Sequence, residues 1–231
     1  SVLNTKISLC NWLYISYKVI MNEYMDSTLL RSTSTKVEIE ELCKDAKEYG
    51  FATVCVNPCY VSLSSELLKD SDVKVCTVIG FPLGANTTKM KVEEAKDAIK
   101  NGADELDMVI NVGFLKDKDY AYVKNEILEL RKVTKDKVLK VIIETCYLDE
   151  DEIIKMTEIC NETGVDFIKT STGFGTRGAS IEDIKIINKY KNDKLKVKAS
   201  GGIRTEEDAL KYIELGVSRI GTSNAKKMME E

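Results

Sequence analysis

The sequence predicts an α/β fold in which eight parallel strands alternate with helices and close into one (β/α)8 barrel, the TIM barrel. Three observations favour this fold. Helix-period and strand-like stretches alternate along the chain, a glycine-led joint between them recurs four times, and no shift in composition marks a domain boundary within the 231 residues. An open, doubly wound sheet is the weaker alternative.

The first strand is expected at residues 24–29, after an N-terminal stretch, residues 1–23, that we interpret as a helical extension of the barrel. Residues 7–21 are apolar but are interrupted by Asn11, Ser16 and Lys18. They are therefore too short and too polar for a membrane span, and no clear cleavage site of a signal peptide follows them. We expect residues 1–231 to form one domain.

The first helix after that strand ends at a joint that the chain uses repeatedly. Thr35 and Glu38 have the spacing of a capping box, and apolar residues at helical spacing follow up to Gly50. Gly50 opens the strand-like residues 51–55, because glycine readily adopts the left-handed conformation that ends a helix. The same order of helix, glycine and strand recurs at residues 102–107, 164–169 and 216–221.

Three further apolar runs lie between these units, at residues 73–79, 138–144 and 195–200. The glycine-led strands are then the second, fourth, sixth and eighth. Because the interior of a barrel is filled by layers of side chains from alternate strands, the fifth residue after each glycine is expected in one layer. That layer would hold Cys55, Asp107, Lys169 and Gly221.

Such a layer is more typical of a functional site than of an apolar core, because a carboxylate and an amine face each other in it. Lys169 and Lys198 each end a predicted strand, and each has a serine two residues later, although Lys198 belongs to the odd-numbered strands. Two neighbouring ammonium groups favour the neutral form of one, and a neutral lysine forms Schiff bases with carbonyl compounds. Purely structural interpretations stay open: a solvated Lys169, and an Asp107 that only pairs with a buried lysine.

Glycines after three successive strands indicate a phosphate site. Gly201 and Gly202 follow the seventh strand, and Gly221 and Ser223 lie at the end of the eighth, where barrels often hold a phosphate on backbone N–H groups. Gly173, after the sixth strand, would complete this phosphate site. Each glycine alone is weak evidence because the joints need glycine anyway, but together they predict a phosphorylated substrate.

Composition narrows the partners and the chemistry. The net charge of -4 comes from interspersed residues of both signs, which gives no support for a nucleic-acid or membrane surface, so we expect a small-molecule partner. Seven cysteines without a C-x-x-C pair are typical of a reduced, cytoplasmic protein. The absence of histidine excludes Ser-His-Asp and Cys-His pairs and histidine-ligated zinc, and we expect neither a metal nor another cofactor. A homodimer is compatible with the sequence.

Ordered motifs between residues 24 and 224 resemble those of the 2-deoxyribose-5-phosphate aldolases. They are VCVNP (54–58), VIGFPLGA (78–85), ELDMVIN (105–111), VIIE (141–144), FIKTSTGFG (167–175), VKASGGIR (197–204) and RIGTS (219–223). The resemblance implies a metal-free class I aldolase on a (β/α)8 barrel. Such an enzyme reversibly cleaves 2-deoxy-D-ribose 5-phosphate into acetaldehyde and D-glyceraldehyde 3-phosphate.

Residue by residue, the resemblance implies that Lys169 is the Schiff-base lysine, Lys198 the second lysine and Asp107 the carboxylate of proton transfer. The residues that it implies for the phosphate are Gly173, Gly201, Gly202, Gly221 and Ser223. Asn224 falls where the family often has a serine.

Two departures from the family leave alternatives open. Ser27 follows Asp26 where the family commonly has histidine, and the sequence given stops at Glu231, whereas some members have a tail with a tyrosine that reaches the site. One rival is a Schiff-base barrel aldolase for a different phosphorylated sugar or keto acid. The other is a catalytically silent protein that binds phosphosugars.

Overall fold

Eight parallel strands form a closed barrel in which each strand is hydrogen-bonded to the next and β8 returns to β1. The structure is a computed structural model, which describes residues 21–230. The strands are β1 Met25–Leu29, β2 Thr53–Val56, β3 Lys74–Ile79, β4 Glu105–Val109, β5 Val138–Ile142, β6 Phe167–Lys169, β7 Lys196–Ser200 and β8 Arg219–Thr222.

Helices follow every strand and surround the barrel. They are α1 Lys36–Tyr49, α2 Val61–Leu68, α3 Thr88–Lys100, α4 Val112–Lys116, α5 Tyr120–Val133, α6 Glu150–Thr163, α7 Ile181–Tyr190, α8 Glu206–Glu214 and α9 Ala225–Glu230. Single 3-10 turns occupy Asn22–Tyr24, Pro58–Tyr60 and Thr145–Tyr147. Within residues 21–230, none of these helices combines the length and the apolar character needed to span a bilayer.

The predicted barrel and its joints are confirmed. Gly50, Gly102, Gly164 and Gly216 all have positive φ, of 68°, 110°, 65° and 87°. The capping box of α1 is also present, because Thr35 accepts from the backbone N–H of Glu38 and the Glu38 side chain accepts from that of Thr35. The helical extension predicted for residues 1–23 lies almost wholly outside the described residues and stays a prediction.

Apolar packing is concentrated outside the barrel rather than in its lumen. Buried residues such as Ile39 of α1, Ile127 of α5 and Val141 of β5 belong to one continuous core between the sheet and the helices. Inside the barrel, a small cluster contains Leu30, Cys55, Cys76 and Val78. Much of the remaining lumen is charged, whereas barrel interiors are usually filled by branched apolar side chains.

The loop after β3 is fixed by a glycine that touches the end of β4. Gly84 has φ 67°, and its N–H donates to the carbonyl oxygen of Gly80 at 2.7 Å. A Cβ atom at this position would lie 1.9 Å from the carbonyl oxygen of Ile110. The close approach holds Phe81 near the barrel mouth, where its ring packs edge-on against Phe174 with centroids 5.4 Å apart.

We expect Gly84→Ala to destabilise the protein more than Gly164→Ala. Gly164 has a similar φ, of 65°, but its added Cβ would meet nothing within 4 Å, so alanine there costs only the left-handed backbone, about 1–2 kcal/mol. At Gly84 the clash with backbone adds about 1–3 kcal/mol. Urea unfolding of both variants measures the difference, and equal losses would show that the loop moves away freely.

Candidate active site

Two lysines from neighbouring strands converge on one oxygen of a buried carboxylate. Asp107 of β4 lies fully inside the barrel, and its Oδ2 is 2.8 Å from Lys169 Nζ and 2.8 Å from Lys198 Nζ. The backbone register explains the meeting, since Lys169 of β6 and Lys198 of β7 are Cα partners. The two amines are therefore no further apart than the sum of those two distances.

This arrangement confirms the predicted contact between Lys169 and Asp107 but differs from the prediction for Lys198. Alternation of strands placed Lys198 outside the layer, yet its long side chain brings the amine to the same carboxylate oxygen. Gly221 of β8 makes room for it, because a Cβ there would lie 3.1 Å from Lys198 Cε. The glycine of the layer thus gives space to a lysine of the adjacent strand.

A third lysine, which the sequence interpretation missed, holds the other oxygen of Asp107. Lys140 of β5 donates to Asp107 Oδ1 at 2.8 Å and pairs with Glu105 at 2.6 Å. Arg219 of β8 bridges Glu105 and Asp26, at 2.9 Å and 2.8 Å. Lys140 interrupts an apolar strand with one charge, which is the signal that could have identified it.

We call these seven side chains the lumen cluster. Its members are Asp26, Glu105, Asp107, Lys140, Lys169, Lys198 and Arg219. Asp26 of β1 joins it through Lys198, at 2.6 Å. Lys169, with 3% of its surface exposed, is the lysine of the cluster nearest to solvent, since Lys140 and Lys198 are at 0%.

Opposite charges in the cluster outweigh the effect of burial on the pKa values of Asp107, Lys140 and Lys198. Burial alone would favour a neutral Asp107, but the three lysines around it hold its pKa well below the usual range. Burial likewise disfavours the ammonium form of Lys198, yet Asp107 and Asp26 raise its pKa. Lys140 behaves in the same way, with a pKa raised by Asp107 in spite of burial. Both lysines are therefore cationic at neutral pH.

Two buried cysteines lie beside the cluster, and one of them, Cys55, was predicted there. Cys76 Sγ lies 3.3 Å from Asp107 Oδ1 and 3.4 Å from Lys140 Nζ. Two sets of ligand atoms have the spacing of a metal site: Cys55, Cys76 and Asp107, and Asp26, Cys76 and Glu105. Ammonium and guanidinium groups already bind the carboxylates of both sets, so a cation there would meet like charge.

Above the cluster, a cavity of about 330 Å³ opens at the carboxyl ends of β1, β6, β7 and β8. Lys169 lines it, and so do all five residues predicted for a phosphate: Gly173, Gly201, Gly202, Gly221 and Ser223. Gly173, Gly201 and Gly202 have φ of 86°, 82° and 77°. Successive residues that alternate right- and left-handed backbone conformations can form concavities of N–H groups that bind anions.

Two arginines that the sequence interpretation missed also line this cavity. Arg204 follows Gly202 by two residues, and Arg31 lies on the loop after β1, where it pairs with Glu38 at 2.8 Å. Ser27, the departure from the family motif, is buried and does not line the cavity. Alternation along β1 turns Asp26 and Thr28 to one face and Ser27 to the other.

Comparison with known proteins places the chain in a family. Residues 19–224 match the model of the DeoC/LacD family aldolases. The chain belongs to this family. The matched residues make up most of the chain, and they include all eight strands of the barrel and the buried lysines.

Named relatives agree with the family assignment. A deoxyribose-phosphate aldolase of Caldanaerobacter subterraneus is 56% identical over 90% of this chain and 91% of its own length. One from Thermococcus kodakarensis is 56% identical over 90% and 94%. The solved tetrameric structure of the deoxyribose phosphate aldolase from Aeropyrum pernix is similar to this chain, with a TM-score of 0.87 at 33% identity, and the match covers 92% of this chain and 91% of that one.

We expect Lys140→Met to destabilise the protein by about 3–5 kcal/mol, because it leaves Asp107 and Glu105 buried without one of their partners. Lys96→Met is the control, since Lys96 and Glu93 form an exposed pair whose loss costs less than about 1 kcal/mol. Chemical denaturation of both variants makes the comparison. A loss at Lys140 as small as that at Lys96 would contradict the importance of the lumen cluster.

Proposed function

We propose that this chain is a class I deoxyribose-phosphate aldolase, which cleaves 2-deoxy-D-ribose 5-phosphate reversibly into acetaldehyde and D-glyceraldehyde 3-phosphate. The observation that carries the proposal is the meeting of Lys169 and Lys198 on one oxygen of Asp107, directly below an open cavity. The names of the family relatives support the substrate. Lys169 is the nucleophile, and Asp107 and Lys198 assist it.

Charge balance supports Lys169 as the amine that reacts. The lumen cluster contains four cationic side chains and three carboxylates, so it is balanced when one amine is neutral. Arg219 stays protonated, and opposite charges raise the pKa of Lys140 and of Lys198. Of the three lysines of the cluster, Lys169 is the one that lines the cavity, where a carbonyl substrate can reach its amine.

The chemistry follows from a neutral amine beside a carboxylate. Lys169 Nζ attacks the C1 carbonyl of the open-chain sugar, and loss of water gives an iminium ion. The iminium accepts the electron pair of the C2–C3 bond as the C3 hydroxyl loses its proton, which releases glyceraldehyde 3-phosphate. The enamine that is left takes a proton at C2, and hydrolysis then frees acetaldehyde and the lysine.

Asp107 and Lys198 are suited to move the protons of these steps. The carboxylate accepts hydrogen bonds from both amines through the same oxygen, so it can take up a proton at the reacting lysine and pass it on, and cationic Lys198 favours its return to the anionic form. Cationic Lys198 also opposes the build-up of a second positive charge nearby. The pair therefore acts as one acid–base unit below the reacting carbon.

The phosphate is held at the other end of the cavity. Gly173, Gly201, Gly202, Gly221 and Ser223 supply backbone and hydroxyl donors there, and Arg204 supplies positive charge. Anchoring the phosphate away from Lys169 positions C1 for attack. An aldolase for another phosphorylated sugar would use the same phosphate site. Identification of the products formed from deoxyribose 5-phosphate and from fructose phosphates distinguishes these two activities.

We also propose that the protein is a cytoplasmic, single-domain homo-oligomer. Free cysteines at 43, 55, 59, 76, 146 and 160 support a reducing compartment. The tetrameric relative from Aeropyrum pernix supports self-association, and a homodimer is the simplest assembly compatible with it. Light scattering of the purified chain measures the oligomeric state.

Borohydride reduction in the presence of acetaldehyde is expected to add one ethyl group, at Lys169. Lys169→Met should abolish the labelling and the cleavage of deoxyribose 5-phosphate, since no other amine of the cluster faces the cavity. Peptide mass spectrometry locates the label. Label on Lys198 in the unmodified sequence would sink the assignment, and a silent binding protein would show neither label nor release of glyceraldehyde 3-phosphate.

Ser223→Ala is expected to raise the KM for deoxyribose 5-phosphate about tenfold, the effect of losing one hydrogen bond to a charged group. Activity with unphosphorylated 2-deoxyribose should not change, because the proposed role of this cavity-lining hydroxyl is to bind the phosphate. Ser62→Ala, on the exposed surface of α2, is the control. Equal losses with both sugars would contradict a phosphate role for Ser223.

A further inference from the structure

Glu144 is a buried carboxylate beside the site that the mechanism above does not use. It follows β5 by two residues, has 3% of its surface exposed, and adopts a left-handed backbone with φ 54° and ψ 67°. Residues other than glycine rarely adopt this conformation. Backbone strain of this kind is concentrated at functional sites, where the surroundings hold it in place.

Both oxygens of Glu144 bind one residue of the loop after Lys169. Oε1 accepts from the backbone N–H of Thr172 at 3.1 Å, and Oε2 accepts from the Thr172 hydroxyl. Gly175 packs against the same carboxylate, because a Cβ there would lie 3.2 Å from Glu144 Cδ. Glu144 therefore fixes the shape of the loop that begins at the reacting lysine.

These bonds leave the hydroxyl of Thr172, a residue that lines the cavity, with one free acceptor site. Its one hydrogen is donated to Glu144, and its oxygen accepts from the N–H of Phe174 at 3.0 Å, so one lone pair is left. Thr172 lines the cavity of Lys169 and also a second cavity of about 270 Å³ that Glu144 and Phe174 border. It thus lies where the two cavities meet.

Three other hydroxyl groups that line the cavity also donate their hydrogens to acceptors within the protein. Thr28 donates to the carbonyl oxygen of Asp26, Ser200 to that of Ser171 and Thr222 to that of Ile203. These three hydroxyls have already donated their hydrogens, so this part of the wall is complementary to a ligand that brings hydroxyl donors. The glyceraldehyde half of the proposed substrate carries such hydroxyls, whereas the acetaldehyde half does not.

We propose that Glu144 is a positioning residue that holds the Thr172 hydroxyl as a hydrogen-bond acceptor for a hydroxyl of the sugar's glyceraldehyde half. The inference rests on the proposed function and assigns within it a determinant of specificity. Glu144 itself does not touch the reacting atoms. Its effect is confined to the hydroxylated part of the substrate, and Schiff-base formation with acetaldehyde does not need it.

Glu144→Gln tests the inference because it keeps the shape of the side chain and reverses one bond. The N–H of Thr172 cannot turn, so the glutamine oxygen must face it and the glutamine NH2 group must face the Thr172 hydroxyl. The hydroxyl hydrogen is then released toward the cavity, where it opposes a hydroxyl donor of the substrate. Glu150→Gln, at an exposed position that begins α6, is the control.

In Glu144→Gln, kcat/KM for deoxyribose 5-phosphate should fall about tenfold, as expected for one lost hydrogen bond, while reductive trapping of acetaldehyde on Lys169 is unchanged. Thr172→Val should likewise lower kcat/KM for cleavage and leave the trapping of acetaldehyde unchanged. The double variant should lose no more kcat/KM than either single variant. If the glutamine variant does not fold in a thermal unfolding assay, Thr172→Val carries the test.

A parallel fall in trapping and in cleavage would overturn the inference, since it would mean that Glu144 only maintains the loop. Unchanged cleavage in Glu144→Gln or in Thr172→Val would overturn it as well. Failure of the proposed function is a distinct result, because the protein without substitutions would then not trap acetaldehyde at all.

Discussion

The carboxylate of Asp107, with two amines on one oxygen and a third on the other, is the interaction on which the rest of the structure depends. Charged groups of β1, β4, β5, β6, β7 and β8 all reach the lumen cluster around it. Removing such charges from water is costly, and only mutual pairing offsets that cost. A change of register in any of these strands would leave a buried charge unpaired, so the cluster constrains the closed barrel as well as its chemistry.

The rim above the cluster is divided between two tasks. The loops after β6 and β7 contribute glycines with positive φ, and these glycines line one cavity together with Gly221 and Ser223. Loops after β3, β4 and β5 contribute apolar residues and the strained Glu144. Lys169 ends the strand between these halves, so in the proposed function a substrate held by its phosphate on one side would present its middle to Thr172 and its carbonyl carbon to the amine.

Sequence motifs predicted the fold and the central residues because both follow local rules. Glycine-led joints and strand-length apolar runs gave the eight strands, and alternation gave Asp107 opposite Lys169, all confirmed by the structure. Alternation could not predict the place of Lys198, since strand register and the reach of a long side chain decide it. Lys140, Asp26 and Glu105 were missed because a lone charge in a strand is usually solvated.

The sequence by itself thus determined the order of elements, the family and the residues that could react, because periodicity, glycine positions and motifs are properties of neighbouring residues. Tertiary structure decided how the charges are shared. It set four cations against three carboxylates, left Lys169 as the amine nearest to solvent, and turned Glu144 onto Thr172. Those relations join strands distant in the chain, so distances across the closed barrel, and not local pattern, determine them.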